Sequence, residues 1–334
     1  MATTQHYSHV GKAESSGLLS MLGRVPTPMG GLGLAIASLG GTWAIVSPDQ
    51  ATPLKLVTAL IAAILIGKII LKFLCHPHLI KEEIAHPVLG SVMPTCAMGV
   101  MVIAQSLLPF LPTFAKGLWL TAVFCHILLF LGFVYHRLTD FKITHMVPSW
   151  FVPPVGIIVA AVSSTGMGYE SLVYALFVFG LACYFIKLPI MLYRLLFKEN
   201  ITIAALPTFA IMGAPASLSL AGYLTITTEP SPLLLIILTP LAIFMTALVY
   251  MAFIRLLRLP FSPGYAAFTF PMVIGATALI KLTNWLHIHN LNWLANIIHN
   301  IANIELAIAT AIVIYVAVRY TLHYLIKPLS GSAK

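Results

Sequence analysis

The stretch HPVLGSVMPTCAMG, residues 86–99, opens an apolar run with one proline, Pro87, and interrupts it with another, Pro94. The two positions differ physically. A proline in the first turn of a helix costs little, because its missing N–H has no helical partner there. A proline seven residues further in removes a backbone hydrogen bond and predicts a kink. The pairing recurs four more times: Pro26 with Gly33, Pro148 with Pro154, Pro207 with Pro215, and Pro263 with Pro271. The second members are spaced 61, 60, 61 and 56 residues apart. A fixed period with a recurring internal feature marks a repeat architecture. Between successive copies lies an apolar run without the pairing. The repeating unit therefore reads as a hairpin, one broken helix followed by one smoother helix.

Composition fixes the solvent. The 334 residues are 60% hydrophobic and only 8% charged, with a mean hydropathy of +0.98. A soluble domain carries roughly 25% charged residues, so the solvent here must be largely lipid. A membrane span needs about 20 mostly apolar residues. Ten runs qualify: 26–47, 53–75, 87–108, 112–136, 148–165, 170–196, 206–226, 231–256, 263–282 and 299–326. The sequence thus predicts an all-α polytopic membrane protein of ten transmembrane helices, arranged as five tandem hairpins around a central pore. Lipid offers no partner to a carbonyl freed at a kink. Five breaks in register therefore place the odd-numbered helices on a common axis and the even-numbered ones outside. The frequency of Gly and Pro in membrane helices accounts for any one break, but poorly for five at one depth. Small residues follow each break, among them Ala35, Gly99, Gly156, Ser217 and Gly275, and allow close helix approach. The stretch 283–300, with Trp285 and Trp293, reads as a segment lying flat at the interface.

Of the eighteen Lys and Arg, all but Lys55, Lys116 and Lys281 fall on the side of the N-terminus. The positive-inside rule then predicts both termini cytoplasmic, in the plasma (inner) membrane. The net charge of +9 reads as this topology signal. It is not a nucleic-acid footprint, since no basic stripe is interleaved with aromatics. Residues 1–25 read as a cytoplasmic N-terminal segment without a signal-peptide pattern, 26–326 as the pore domain, and 327–334 as a cytoplasmic tail. Cys75, Cys96, Cys125 and Cys183 form no CxxC pair and read as small core residues. His76-x-His78 and His287-x-His289 lack a third ligand close in sequence and read as loop and interface residues. No metal or cofactor is expected.

The stretches PTPMGGLGLAIASLGGTWA (26–44), HPVLGSVMPTCAMG (86–99), LPTFAIMGAPASLSLAGYL (206–224) and AAFTFPMVIGATAL (266–279) resemble the tellurite-resistance/dicarboxylate transporter family. That family includes bacterial tellurite-resistance proteins, fungal malate and sulfite transporters and the slow anion channels of plant guard cells. The resemblance runs from about Pro26 to Ile326 and implies five hairpins around a pore, a homotrimer with one pore per subunit, and movement of anions. It also implies a phenylalanine on the ninth span that occludes the pore, which falls here on Phe270. Two residues apart on a helix means about 200° of rotation, so Phe268 and Phe270 cannot both face the axis. The other residues just before the breakers are Leu32, Met93, Pro153 and Ala214, and Phe270 is the aromatic one among them. Gly33, Pro94, Pro154, Pro215 and Pro271 would line the pore with Leu32, Met93 and Ala214.

Eight of the nine acidic residues lie in loops; Glu305 lies near the start of the last span. An intramembrane carboxylate is a functional candidate, here a proton site. The competing reading is an interfacial residue or one bonded to a neighbouring helix, and it weighs more for a helix expected outside the ring. Lys187, about two turns from the end of the sixth span, reads as snorkelling. Neither a Walker loop nor a dinucleotide fingerprint is present, nor a nucleophile elbow or HExxH motif. The leading function is a channel or transporter for small anions such as chloride, nitrate, sulfite or dicarboxylates, gated by Phe270. An apolar wall without acidic rings, with a rim rich in Lys and Arg, would suit an anion. The second reading is a proton-coupled dicarboxylate or sulfite carrier. The third is a membrane-embedded enzyme, for which the odd helices offer almost no polar groups.

Overall fold

The computed structural model describes residues 18–326, so the segments 1–17 and 327–334 lie outside the described residues. The described chain is helical, and the helices follow the apolar runs. They are α1 (Met29–Val46), α2 (Pro48–Cys75), α3 (Leu89–Leu107), α4 (Pro112–Thr139), α5 (Pro148–Val162), α6 (Glu170–Phe197), α7 (Leu206–Ile226), α8 (Pro232–Leu256), α9 (Pro263–Ile288) and α10 (Asn292–Tyr324). Among the described residues, nine are long and apolar enough to cross a membrane, and α5 is shorter. The 283–300 stretch does not form a separate surface helix. Instead α9 continues to Ile288, Asn290 turns the chain at φ 60°, and α10 starts at Asn292.

Burial separates the helices into two layers. In α1, α3, α7 and α9, 72–89% of the apolar window is buried within the protein; in α2, α4, α6, α8 and α10 the share is 22–39%. The inner helices contact one another in sequence and close on themselves: α1 packs on α3, α3 on α5, α5 on α7, α7 on α9, and α9 on α1. Each outer helix packs on the inner helix before it. Hydroxyl pairs help fasten the ring, with Thr42 Oγ1 and Thr277 Oγ1 at 2.6 Å between α1 and α9, and Ser91 Oγ and Ser149 Oγ at 2.6 Å between α3 and α5. Such bonds between helices contribute on the order of 0.6–2 kcal/mol in a bilayer.

Pro189 of α6 and Pro240 of α8 lie inside continuous helices, but the second prolines of the pairs do not. Each falls where an α-helical segment restarts. Pro94 is the first residue of Pro94–Leu107, Pro215 the second of Ala214–Ile226, and Pro271 the third of Thr269–Ile288. Leu206–Gly213 and Pro263–Phe268, which precede the last two, are 3-10 helices. A proline in a first turn needs no N–H partner, so these breaks leave few backbone groups unpaired; the Ile211 carbonyl is taken by Ala214 N–H. Gly33 is a correction of another kind. It sits inside an unbroken α1, and a Cβ there would lie 2.9 Å from Ile66 Cγ1 on α2. Its role is close packing between the layers.

Segment α5 is the most broken. It alternates 3-10 and α turns through Pro148–Phe151, Val152–Val155, Gly156–Ile158 and Val159–Val162. The Trp150 carbonyl would be bonded by residue 153 in a 3-10 helix or by residue 154 in an α-helix, and both are proline. Lys187 Nζ on α6 fills that vacancy with a 2.7 Å hydrogen bond to Trp150 O. Lys187 therefore does not snorkel; it caps an orphaned carbonyl. The cysteines are free, but Cys75 and Cys125 are exposed on outer helices rather than in the core.

Candidate functional site

All five inner helices line one cavity, with an empty volume of about 780 Å³. Its lining begins at the first residues of these helices, with Pro28, Val88, Ala204 and Gly264. It continues to Met98, Gly156 and Leu218 near the middles of α3, α5 and α7, and to Phe270 and Pro271 about two turns into α9. None of the lining side chains is charged. Two hydroxyls are present, Thr95 and Thr208, and both donate backward to the backbone, to Val92 O and Ala205 O at 2.7 Å each. Their protons are already engaged, so the wall offers an entering solute little beyond apolar contact.

Phe270, Pro271, Ala214 and Pro215 line this cavity. Gly33, Pro94 and Pro154 do not; their neighbours Gly31, Val92, Thr95 and Val155 take those places. Met93 is buried outside the lining, and Leu32 faces a separate groove between α1, α2 and α10. The breakers mark the right depth, but in α1, α3 and α5 the residues that reach the cavity lie one or two positions away. Helical rotation of about 100° per residue makes that the difference between facing the axis and facing a neighbour. Phe268 is fully buried away from the cavity, with ring centroids 5.4 Å from Phe253 and 4.8 Å from Tyr265. Phe270 is flanked by small residues, Gly31, Ala266 and Ala267. Gly31 lies against Ala266, where a Cβ would stand 3.6 Å from the carbonyl oxygen, an ordinary van der Waals contact.

Several basic residues counted at the rim are internal ties. Lys72 is buried and donates to Val25 O at 2.9 Å, to Thr27 Oγ1 at 3.0 Å and to the Glu83 carboxylate. Arg137 donates to Ala85 O, and Arg194 to Thr144 O and Glu199 O. His86 joins them: its Nδ1 accepts the N–H groups of Val88 and Leu89 at the start of α3, at 3.1 and 3.2 Å. Partial burial, and secondarily the Arg137 charge, hold its pKa below the usual histidine value.

The chain matches the voltage-dependent anion channel family over residues 24–321. It belongs to that family. Two uncharacterized transporters of Methanocaldococcus jannaschii are also similar. One is 25% identical over 240 residues, which span 63% of this chain and 70% of that protein. The other is 24% identical over 217 residues, spanning 57% and 62%. A multi-pass membrane protein of a channel and transporter family accounts for the double-layered bundle and its axial cavity.

Behind the cavity lies a carboxylate that an outer helix brings inward. Glu305 of α10 is 4% exposed, and its Oε2 has no hydrogen-bond partner among the described residues. It is therefore neither interfacial nor bonded through that oxygen to a neighbouring helix. It presses against Gly275 of α9, where a Cβ would stand 2.7 Å from Oε2 and 3.5 Å from Thr246 Oγ1. Thr246 Oγ1 and Tyr250 OH of α8 are likewise buried without a partner among the described residues. Gly275 follows Phe270 by five residues, about 140° around the helix, so Glu305 touches the back of the helix whose front carries Phe270.

Proposed function

We propose that this family member conducts small anions along the axis of α1, α3, α5, α7 and α9, with Phe270 as the gate. In this reading α5 completes ten crossings, both termini are cytoplasmic in the plasma membrane, and the protein assembles as a homotrimer with one pore per subunit. The observation that carries it is the cavity itself: five inner helices, no charged lining side chain, and Phe270 in a wall that otherwise carries small and apolar residues and one further ring, Phe151. A wall without acidic groups does not favour cations, and one whose hydroxyl protons are engaged holds anions weakly, so passage favours anions that shed water easily. Exposed cations such as Lys81, Lys142, Arg255 and Arg258 would supply the attraction at the rim.

The second reading, a proton-coupled carrier for a dicarboxylate or sulfite, rests on Glu305. A buried carboxyl behind the gate helix is a group that could exchange a proton as α9 moves. One experiment separates the two. Proteoliposomes are loaded with chloride, nitrate, sulfite or malate, and flux is recorded alongside internal pH for wild type and Glu305→Gln. Anion flux graded by dehydration cost, without coupled proton flux and retained in Glu305→Gln, supports the channel. Saturable flux of one substrate with stoichiometric protons, abolished in Glu305→Gln, supports the carrier. Potassium flux equal to chloride flux rejects both.

A further inference from the structure

A second cavity opens on the outside of the bundle, where α1, α2 and α10 meet beside the short helix Leu18–Gly23. Its empty volume is about 1160 Å³. Its apolar part follows α1 from Met29 through Leu32 to Ile36, and α2 from Lys68 through Leu65 to Ile61. Seven residues at 1.5 Å each make this strip about 10 Å long on either helix. Ile61 is 43% exposed and opens the strip toward lipid, while Leu32 and Ile36, buried at 1% and 7%, form its floor on the α1 side. At the end of the strip nearest the helix ends stand Arg24, Lys68 and His323, with Tyr320 and Tyr324 beside them. The lining contains no acidic side chain. The side chains of Arg24 and Lys68 make no ion pair or hydrogen bond with any described residue, whereas Lys72, one turn along from Lys68, is engaged by three acceptors.

Unpaired cations above a lipid-facing apolar strip define the chemistry of what fits. The occupant must carry a negative head and a long apolar tail, with the head at the level where helices leave the hydrocarbon. Tyrosines at that level suit the headgroup region. The rest of this chain does not supply such a group. Outside the described residues it carries Lys12, Lys327 and Lys334 against the single acid Glu14. We propose that this groove binds one anionic phospholipid, its phosphate held by Arg24 and Lys68 and an acyl chain lying along Leu32, Ile36, Ile61 and Leu65. The lipid would then join the first hairpin to α10, closing the ring of outer helices at the point where the first and last hairpins meet. This inference rests on the membrane setting and does not depend on which solute the axial cavity carries.

The test uses the full chain purified in detergent, titrated separately with dioleoyl phosphatidylglycerol and dioleoyl phosphatidylcholine, with retained lipid counted by native mass spectrometry. The expected result is one tightly retained phosphatidylglycerol per chain and weaker retention of phosphatidylcholine. Arg24→Gln with Lys68→Gln should weaken retention roughly thirtyfold, the effect of two basic side chains at a membrane surface. Arg255→Gln with Arg258→Gln, an exposed basic pair at the end of α8, should leave it unchanged. Leu65→Trp, which keeps both charges and fills the strip, should also displace the lipid; this variant keeps the test decisive if the charge variant folds poorly. Equal retention of the two lipids overturns the proposal, as does retention unchanged in either groove variant. Efficient crosslinking between subunits through Leu65→Cys in native membranes would overturn it too, because the groove would then be covered by a second copy of the chain.

Discussion

Replacing Phe270 with alanine separates a gate from an ordinary buried ring, and the structure sets the size of the effect. Phe270 is 8% exposed, and its exposed part faces the axial cavity. Its neighbours on the wall, Gly31, Ala266 and Ala267, are too short to fill the space the ring leaves. If a passing anion must push the ring aside, the least cost is a displacement off its rotamer, about 0.5–1.5 kcal/mol for a 30° turn. Removing that barrier raises flux about 2- to 13-fold, and any direct occlusion by the ring adds to this. Stability should fall, though less than for a ring with no exposure, because Phe270 is buried to all but 8%. Phe268→Ala is the matched control. That ring is fully buried against Phe253 and Tyr265, and its loss costs up to about 3–5 kcal/mol by analogy with soluble cores. The figure is an upper bound where lipid is the reference solvent. The assay is chloride and nitrate efflux from proteoliposomes, normalised to folded protein, with thermal unfolding in detergent recorded in parallel. The two variants should dissociate in flux, Phe270→Ala raising it and Phe268→Ala leaving it nearly unchanged while lowering melting the more. Equal rises in both variants, or no rise in either, would remove Phe270 from the gate.

Two further outcomes test the scaffold around the cavity. Lys187→Met should expose the double-proline defect in α5: the Trp150 carbonyl loses its donor, at a cost of about 1–3 kcal/mol, seen as a lowered melting temperature that Lys187→Arg largely restores. A snorkelling lysine would tolerate methionine. His86 should confer a pH dependence. Its pKa is lowered in the folded protein, so the unfolded chain takes up the proton first. Its contribution is complete above the ordinary histidine value near 6.5 and is lost as pH falls from there through the lowered value. Melting temperature should therefore decline more steeply below about pH 6.5 in wild type than in His86→Asn.

The layered fold was legible because lipid makes backbone pairing compulsory, and proline advertises where pairing must change. Pro94, Pro154, Pro215 and Pro271 each stand where an α-helical segment restarts, and their missing N–H compels a change of pairing, although Pro189 of α6 and Pro240 of α8 show that a continuous helix can absorb one. Gly33 carried no such compulsion. A glycine within a helix costs only about 1 kcal/mol, and packing against Ile66 is enough to keep α1 straight there. The site was legible to the same depth and no further. Breaker positions gave the level of the cavity, but which residue at that level faces the axis depends on the local choice between 3-10 and α turns. That choice rotates the wall by tens of degrees within a few residues. Hence Phe270, Ala214, Pro215 and Pro271 were found, while Gly31, Thr95 and Val155 stood in for Gly33, Pro94 and Pro154.

What sequence order could not convey is which outer residue reaches through to an inner helix. Lys187 and Glu305 have the same sequence signature, one charge in an apolar run. They meet opposite circumstances. Lys187 finds a carbonyl left unpaired by two consecutive prolines and becomes a structural cap. Glu305 finds Gly275, a position with no side chain, where its free oxygen sits beside the unpartnered hydroxyl of Thr246. The difference lies in the partner helix and not in the charged residue. A defect in the backbone hydrogen-bond pattern recruits a donor, whereas a missing Cβ only makes room. The first arrangement gives the orphaned carbonyl a partner. The second leaves Glu305 Oε2 and Thr246 Oγ1 without partners among the described residues.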